Sequence, residues 1–177
     1  MTGFEYVLPV IRGIQAEQEY YVSMCPLGIL PKLFPLPIQN IDPEKRTQRQ
    51  INKGRLPKMT NYIVDNPQDY VFSAITATID ADTTFKPLGE VAEERKLGRL
   101  RIPMDGNLMI HDGLHRRLAL EMALRKNPQL RHETIPLILY INTRLERSQQ
   151  IFCDLNRWGV RLSSTLTLLY DHREIGK

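Results

Sequence analysis

The sequence predicts an α/β (α+β) chain, a small mixed β-sheet flanked by helices, and three stretches carry that prediction. Tyr6–Gln15 and Glu19–Met24 are β-rich runs around a short polar link, the pattern of a hairpin. Leu108 to Asn127 reads as a short apolar strand that passes through Gly113 straight into a helix. Ile135–Ile141 is almost purely apolar, as in a strand buried on both faces. Hairpins alternate with strand–helix–strand connections, so the sheet should mix antiparallel and parallel pairs.

After the first hairpin, Pro26, Pro31, Pro35 and Pro37 make residues 26–41 irregular. Asp42-Pro43-Glu44 then supplies a capping side chain, a proline for the first helical position and an acid for the first turn, which predicts a helix to about Lys53. A second helix is expected from about Pro57 to Asp65. Val71–Ile79, rich in β-branched and small residues, reads as a buried strand ending at Asp80-Ala81-Asp82, and residues 86–98 read as an exposed loop. Leu100–Pro103 and Leu108–His111 flank Asp105-Gly106-Asn107, a tight-turn signal that predicts a second hairpin. The helix after Gly113 should run from about Leu114 to Lys126 and stop at Asn127-Pro128. Thr143-Arg144-Leu145-Glu146 is a capping box opening a helix to about Asn156, and a last helix is expected from Ser163 or Ser164 to Asp171.

A chain of 177 residues fits one domain, 1–177, that can bury its own core. Cys25 and Cys153 have no metal-ligand spacing and no companion pair, which points to a reducing cytoplasm. The N-terminal Met1-Thr2-Gly3-Phe4-Glu5 lacks a basic-then-apolar leader pattern, and no apolar run is long enough for a membrane span. Twenty-four Lys and Arg against 20 Asp and Glu give a net charge of +4, a mild excess that fits a polyanionic partner and many metabolic enzymes alike. The arginines are grouped while the acids are scattered; solvated helix faces remain the alternative for each group.

The sharpest local signal is Asp112-Gly113-Leu114-His115-Arg116-Arg117. A helix that starts directly after a glycine leaves its first N–H groups unpaired and favours anions, yet here its first turn carries His115, Arg116 and Arg117, cations at the wrong end of the helix dipole. A bound phosphate would resolve the conflict, with Gly113, His115, Arg116 and Arg117 converging on its oxygens. The competing reading has Asp112 capping the helix and pairing with Arg116, with no ligand at all. Asn156 and Arg157, at the end of a helix and before the Trp158-Gly159 link, are further candidates for the same anion, although a DNA-reading helix pair fits that segment too. Arg46, Arg49, Asn52 and Arg55, with Arg161 further on, are candidate contacts to a DNA backbone. The four histidines have no zinc-like spacing, and no phosphate-binding glycine loop or dinucleotide fingerprint is present.

Asp112-Gly113-Leu114-His115-Arg116, after Met109-Ile110-His111, resembles the Asp-Gly-Gln-His-Arg (DGQHR) signature of a domain related to the ParB/sulfiredoxin fold. Arg12-Gly13-Ile14-Gln15, Tyr20 to Leu27, Tyr62 to Pro67 with Tyr70 to Ala74, and Phe152 to Arg157 are similar to segments of the DndB-like proteins of bacterial DNA phosphorothioation systems. The similarity spans nearly the whole chain. It departs at Leu114, where the signature has Gln, and in length: the family's chains are longer, which implies either a C-terminal region missing beyond Lys177 or a short relative. The resemblance implies a cytoplasmic DNA-binding repressor of modification genes, with duplex DNA as partner, a nucleotide as a further candidate ligand, no membrane partner, and a homo-oligomer left open. Sulfiredoxin-like chemistry is disfavoured, because that relative has a cysteine before the His-Arg pair and Leu114 stands in its place. The enzymatic alternative is a nucleoside triphosphate or phosphodiester hydrolase in which Asp112 and His115 organise water around a nucleotide with Mg2+.

Overall fold

In the computed structural model, described over residues 3–36, 51–141 and 144–157, the sheet begins with the expected hairpin of β1 (Glu5–Gln15) and β2 (Gln18–Pro26). Its link is two residues, Ala16 and Glu17, both at positive φ, the turn geometry that matches the twist of paired strands. A single turn, α1 (Leu30–Leu33), follows among the early prolines. The predicted helix from Asp42 falls largely outside the described residues; where the description resumes, Lys53–Arg55 form a short 3-10 turn whose start is capped by Asn52. α2 (Leu56–Asp65) then begins with Pro57 in its first turn, as its sequence predicts.

β3 (Ile75–Asp80), β4 (Thr84–Pro87), β5 (Leu97–Pro103), β6 (Asn107–Asp112), α3 (Leu114–Lys126), β7 (Thr134–Ile141) and α4 (Leu145–Arg157) complete the described chain, with a 3-10 turn at Pro128–His132 before β7. Among the described residues seven strands form one mixed sheet in the order β4-β5-β1-β2-β7-β3-β6, in which only β3 and β7 run parallel. The mixed sheet with flanking helices is the architecture the sequence predicts.

Three expectations need correction. β5 and β6 do not form a hairpin: β5 pairs with β1 and β4, and β6 pairs with β3 at the far edge of the sheet. The stretch expected as loop contains the end of β4 and the start of β5, and the strand expected from Val71 begins only at Ile75. β7 is fully buried on one side only, through Ile135, Leu137 and Leu139, while Pro136, Ile138 and Tyr140 are half-buried.

The core lies on the face carrying Leu8, Val10, Leu100, Ile102, Ala77 and Leu137, where α3 packs with α2, α1 and β3. Ala119 and Ala123 let α3 approach closely, because neither carries a bulky side chain. On β3, Thr76 and Thr78 point the opposite way from Ile75, Ala77 and Ile79. There α4 packs on β6, and the Ser148 hydroxyl donates to Thr78 Oγ1 at 3.4 Å. The last predicted helix and the Trp158-Gly159 link lie outside the described residues.

Candidate functional site

β6 ends at Asp112 and α3 begins at Leu114, so a single residue must reverse the backbone between them. Gly113 does this at φ +96°, a left-handed conformation that a side chain disfavours. Space is closed as well: a Cβ on Gly113 would lie 2.9 Å from Ile75 Cγ1 and 3.0 Å from Arg116 Nη2. The chain therefore brings a guanidinium against the glycine backbone. The helix has no side-chain cap and no acid in its first turn, and its first bond is from Arg117 N–H to the Gly113 carbonyl at 2.9 Å.

Asp112 answers the charge conflict from within the chain. Arg116 Nη2 donates to Asp112 Oδ2 at 2.8 Å and to the Ala74 carbonyl at 2.9 Å. Its Nε is buried and has no hydrogen-bond partner among the described residues. The pairing foreseen in the competing reading is thus present, but it satisfies only part of the arginine.

Arg117 has a different role from the one its sequence position implies. Only 2% exposed, it turns into the core, where Nε donates to the Phe34 carbonyl at 3.0 Å, Nη2 to the Pro31 carbonyl at 3.2 Å, and Nη1 pairs with Glu121. All three nitrogens of its guanidinium are engaged by the chain, so Arg117 is a structural tie between α1 and α3 rather than an anion ligand.

His115 faces the other way. Its Nε2 accepts the backbone N–H of Asn52 at 2.9 Å, which requires that nitrogen to be unprotonated, and Asn52 Oδ1 accepts from Gly54 N–H at 3.1 Å. The segment before α2 is thereby tied to the Gly113 turn. Between them lies a cavity of about 140 Å3, its lining made of the charged Arg55, Asp112 and Arg116 together with His115 and the apolar Met59, Ile110 and Leu114. His111 also lines it, nearly fully buried, with Nε2 at 2.9 Å from Thr78 Oγ1.

The structure therefore gathers Asn52, Arg55, Asp112, Gly113, His115 and Arg116 at one place. Asn156 and Arg157 do not line the cavity, and the Asn156 amide donates instead to the Phe152 carbonyl within α4. Arg46, Arg49 and Arg161 lie outside the described residues. Sequence reading missed the Ala74 carbonyl and Met59, because both come from distant parts of the chain. Among the described residues no group of three or more His, Cys, Asp or Glu side chains comes together as a metal site.

The family described as DndB, DNA-sulfur modification-associated, matches residues 8–176. The chain belongs to the DndB family. No curated protein and no solved structure matches it. The Asp112–Arg116 turn is thus part of a DndB-family chain, one linked by family to DNA sulfur modification. Among its described residues no helix is long and apolar enough to cross a membrane.

Proposed function

We propose that this DndB-family chain is a cytoplasmic DNA-binding regulator, a repressor of DNA sulfur-modification genes, that holds a backbone phosphate or a nucleotide at the Gly113 turn. The observation that carries the reading is the meeting of Arg55, from the basic segment, with Arg116 and Gly113 at one cavity. Asp112 offsets the charge of Arg116 alone, so Arg55 leaves the concavity with an excess positive charge, and a phosphate oxygen can accept from both arginines. The Asn52–His115 bond supports the same reading, since it fixes the basic segment beside the turn. Nucleotide or phosphodiester hydrolysis through Asp112 and His115 asks more of these residues: Asp112 is held by Arg116, and His115 Nε2 is occupied by Asn52.

Duplex binding followed against salt tests the proposal. Log affinity should fall linearly with log salt, with about 0.9 of slope for each phosphate neutralised. Arg55→Gln should lower the affinity and reduce the slope by about 0.9, the share of one phosphate contact. Binding that is indifferent to salt, or unchanged by Arg55→Gln, would count against a phosphate at this cavity.

A further inference from the structure

We propose that the outer face of the sheet, on the side away from the core, docks an amphipathic helix of a partner protein whose apolar ridge is flanked by acids. Strand alternation and register fix what lies on this face. One row crosses five strands as Leu97, Ile11, Val22, Ile138 and Thr76, because these residues are successive cross-strand partners. Exposure changes along it, from 39% and 55% at Leu97 and Ile11, through half-buried Val22 and Ile138, to 4% at Thr76. The cover at that far end is α4, whose Ser148 bonds to Thr78 on the same strand face. α4 therefore roofs only part of the face, and Val7, Pro9, Ile11 and Met24 stay exposed.

The open part has the dimensions of one helix. β5, β1, β2 and β7 are three strand spacings across, about 14 Å, which admits a single helix of about 10 Å diameter beside α4. From Val7 to Gly13 the face runs about 20 Å, the length of about 13 helical residues. Its borders are basic. On the β4–β5 side Lys86 stands directly opposite Arg99, and neither cation forms an ion pair among the described residues. Like charges in register disfavour each other, so both gain from an anionic neighbour. Arg101, two residues on, is already paired with Glu5 at 3.5 Å. On the α4 side Arg147 lies near Tyr140: burial raises the pKa of that hydroxyl, and the charge of Arg147 opposes the rise. An apolar floor between basic borders fits leucines flanked by glutamate or aspartate. A second copy of this chain would set basic borders against each other, and a duplex would leave Val7, Ile11 and Met24 without an apolar partner.

The experiment uses the full chain, with its methionine methyls labelled for NMR, and two helical peptides of about 15 residues. They share one leucine stripe and differ only in its flanks, all glutamate or all lysine. The glutamate peptide should shift the Met24 methyl and leave that of Met122, on α3 across the sheet, in place. The lysine peptide should bind about tenfold more weakly, and Lys86→Glu combined with Arg99→Glu should invert that order. Ile11→Glu should weaken the glutamate peptide by about tenfold, the order seen when a central contact of an interface is lost. Equal binding of the two peptides, or a glutamate peptide that leaves Met24 unmoved, overturns the proposal. A Met24 shift produced by dilution of a dimer, or by duplex DNA in place of the peptide, overturns it too and gives the face to a second copy or to nucleic acid. If neither peptide binds while Ile11→Glu lowers the unfolding midpoint, a segment of this chain covers the face and the proposal falls.

Discussion

At the scale of single residues, Gly113 is the most constrained position of the candidate site. Its φ of +96° and the 2.9 Å approach to Ile75 act together, so Gly113→Ala meets both backbone strain and a clash. We expect a loss of about 1–3 kcal/mol, read from thermal or denaturant unfolding, as found for residues forced into sparsely populated backbone regions. A change within a few tenths of a kcal/mol would mean that the turn relaxes freely and does not fix Arg116. The glycine was legible in the sequence, because a strand passing into a helix through one residue requires it. The partners of Arg116 and Arg117 were not. Adjacent arginines in a first helical turn look alike in a sequence, yet they point about 100° apart around the helix axis, and one reaches the Asp112 carboxylate while the other enters the core.

At the scale of elements, α3 is joined to α1 chiefly through Arg117, whose guanidinium serves two carbonyls of the Pro31–Phe34 stretch and Glu121 one turn on. Glu121 also accepts from Arg125 at 2.9 Å, so it keeps a partner if Arg117 is removed, while the two carbonyls do not. Arg117→Met, close in volume and uncharged, should cost about 3 kcal/mol, in the range for breaking a buried ion pair. The same variant, measured while folded, should leave the salt slope of duplex binding unchanged; a slope reduced by a full contact would restore Arg117 as a phosphate ligand. Element boundaries followed the sequence where local chemistry sets them, as at Pro57 for α2 and at Asn127-Pro128 for the end of α3. Strand partners did not follow. Asp105-Gly106-Asn107 reads as a turn whether the flanking strands close on each other or part, and it is β1 and β3, distant in sequence, that claim β5 and β6. β4 gave little signal because, as an edge strand containing Pro87, it needs hydrogen bonds on one side only.

At the scale of the whole molecule, stability should depend on alkaline pH through groups buried in the protonated form. Burial pushes the Cys25 thiol from an ordinary value of 9.0 up to about 12. Burial, with a hydrogen bond to Glu19, raises the Tyr21 hydroxyl to about 12. Both groups lose their protons more readily in the unfolded chain, so their contribution is fully present below about pH 9 and is lost as pH rises toward about 12. Denaturant midpoints should fall across that window, and Tyr21→Phe should flatten part of the fall; midpoints constant from pH 9 to 11 would show that neither group is sheltered as described. The order of strands also bears on how the chain comes to be folded as it is made. β7 is the strand that joins the β4-β5-β1-β2 half of the sheet to the β3-β6 pair, and among the described strands it is also the last to be synthesised. Until Thr134–Ile141 has left the ribosome, the nascent chain can hold two partial sheets, each with an open edge awaiting the same insert. Those edges are then the sites at which a stalled or truncated chain would add a strand from a neighbour instead of its own.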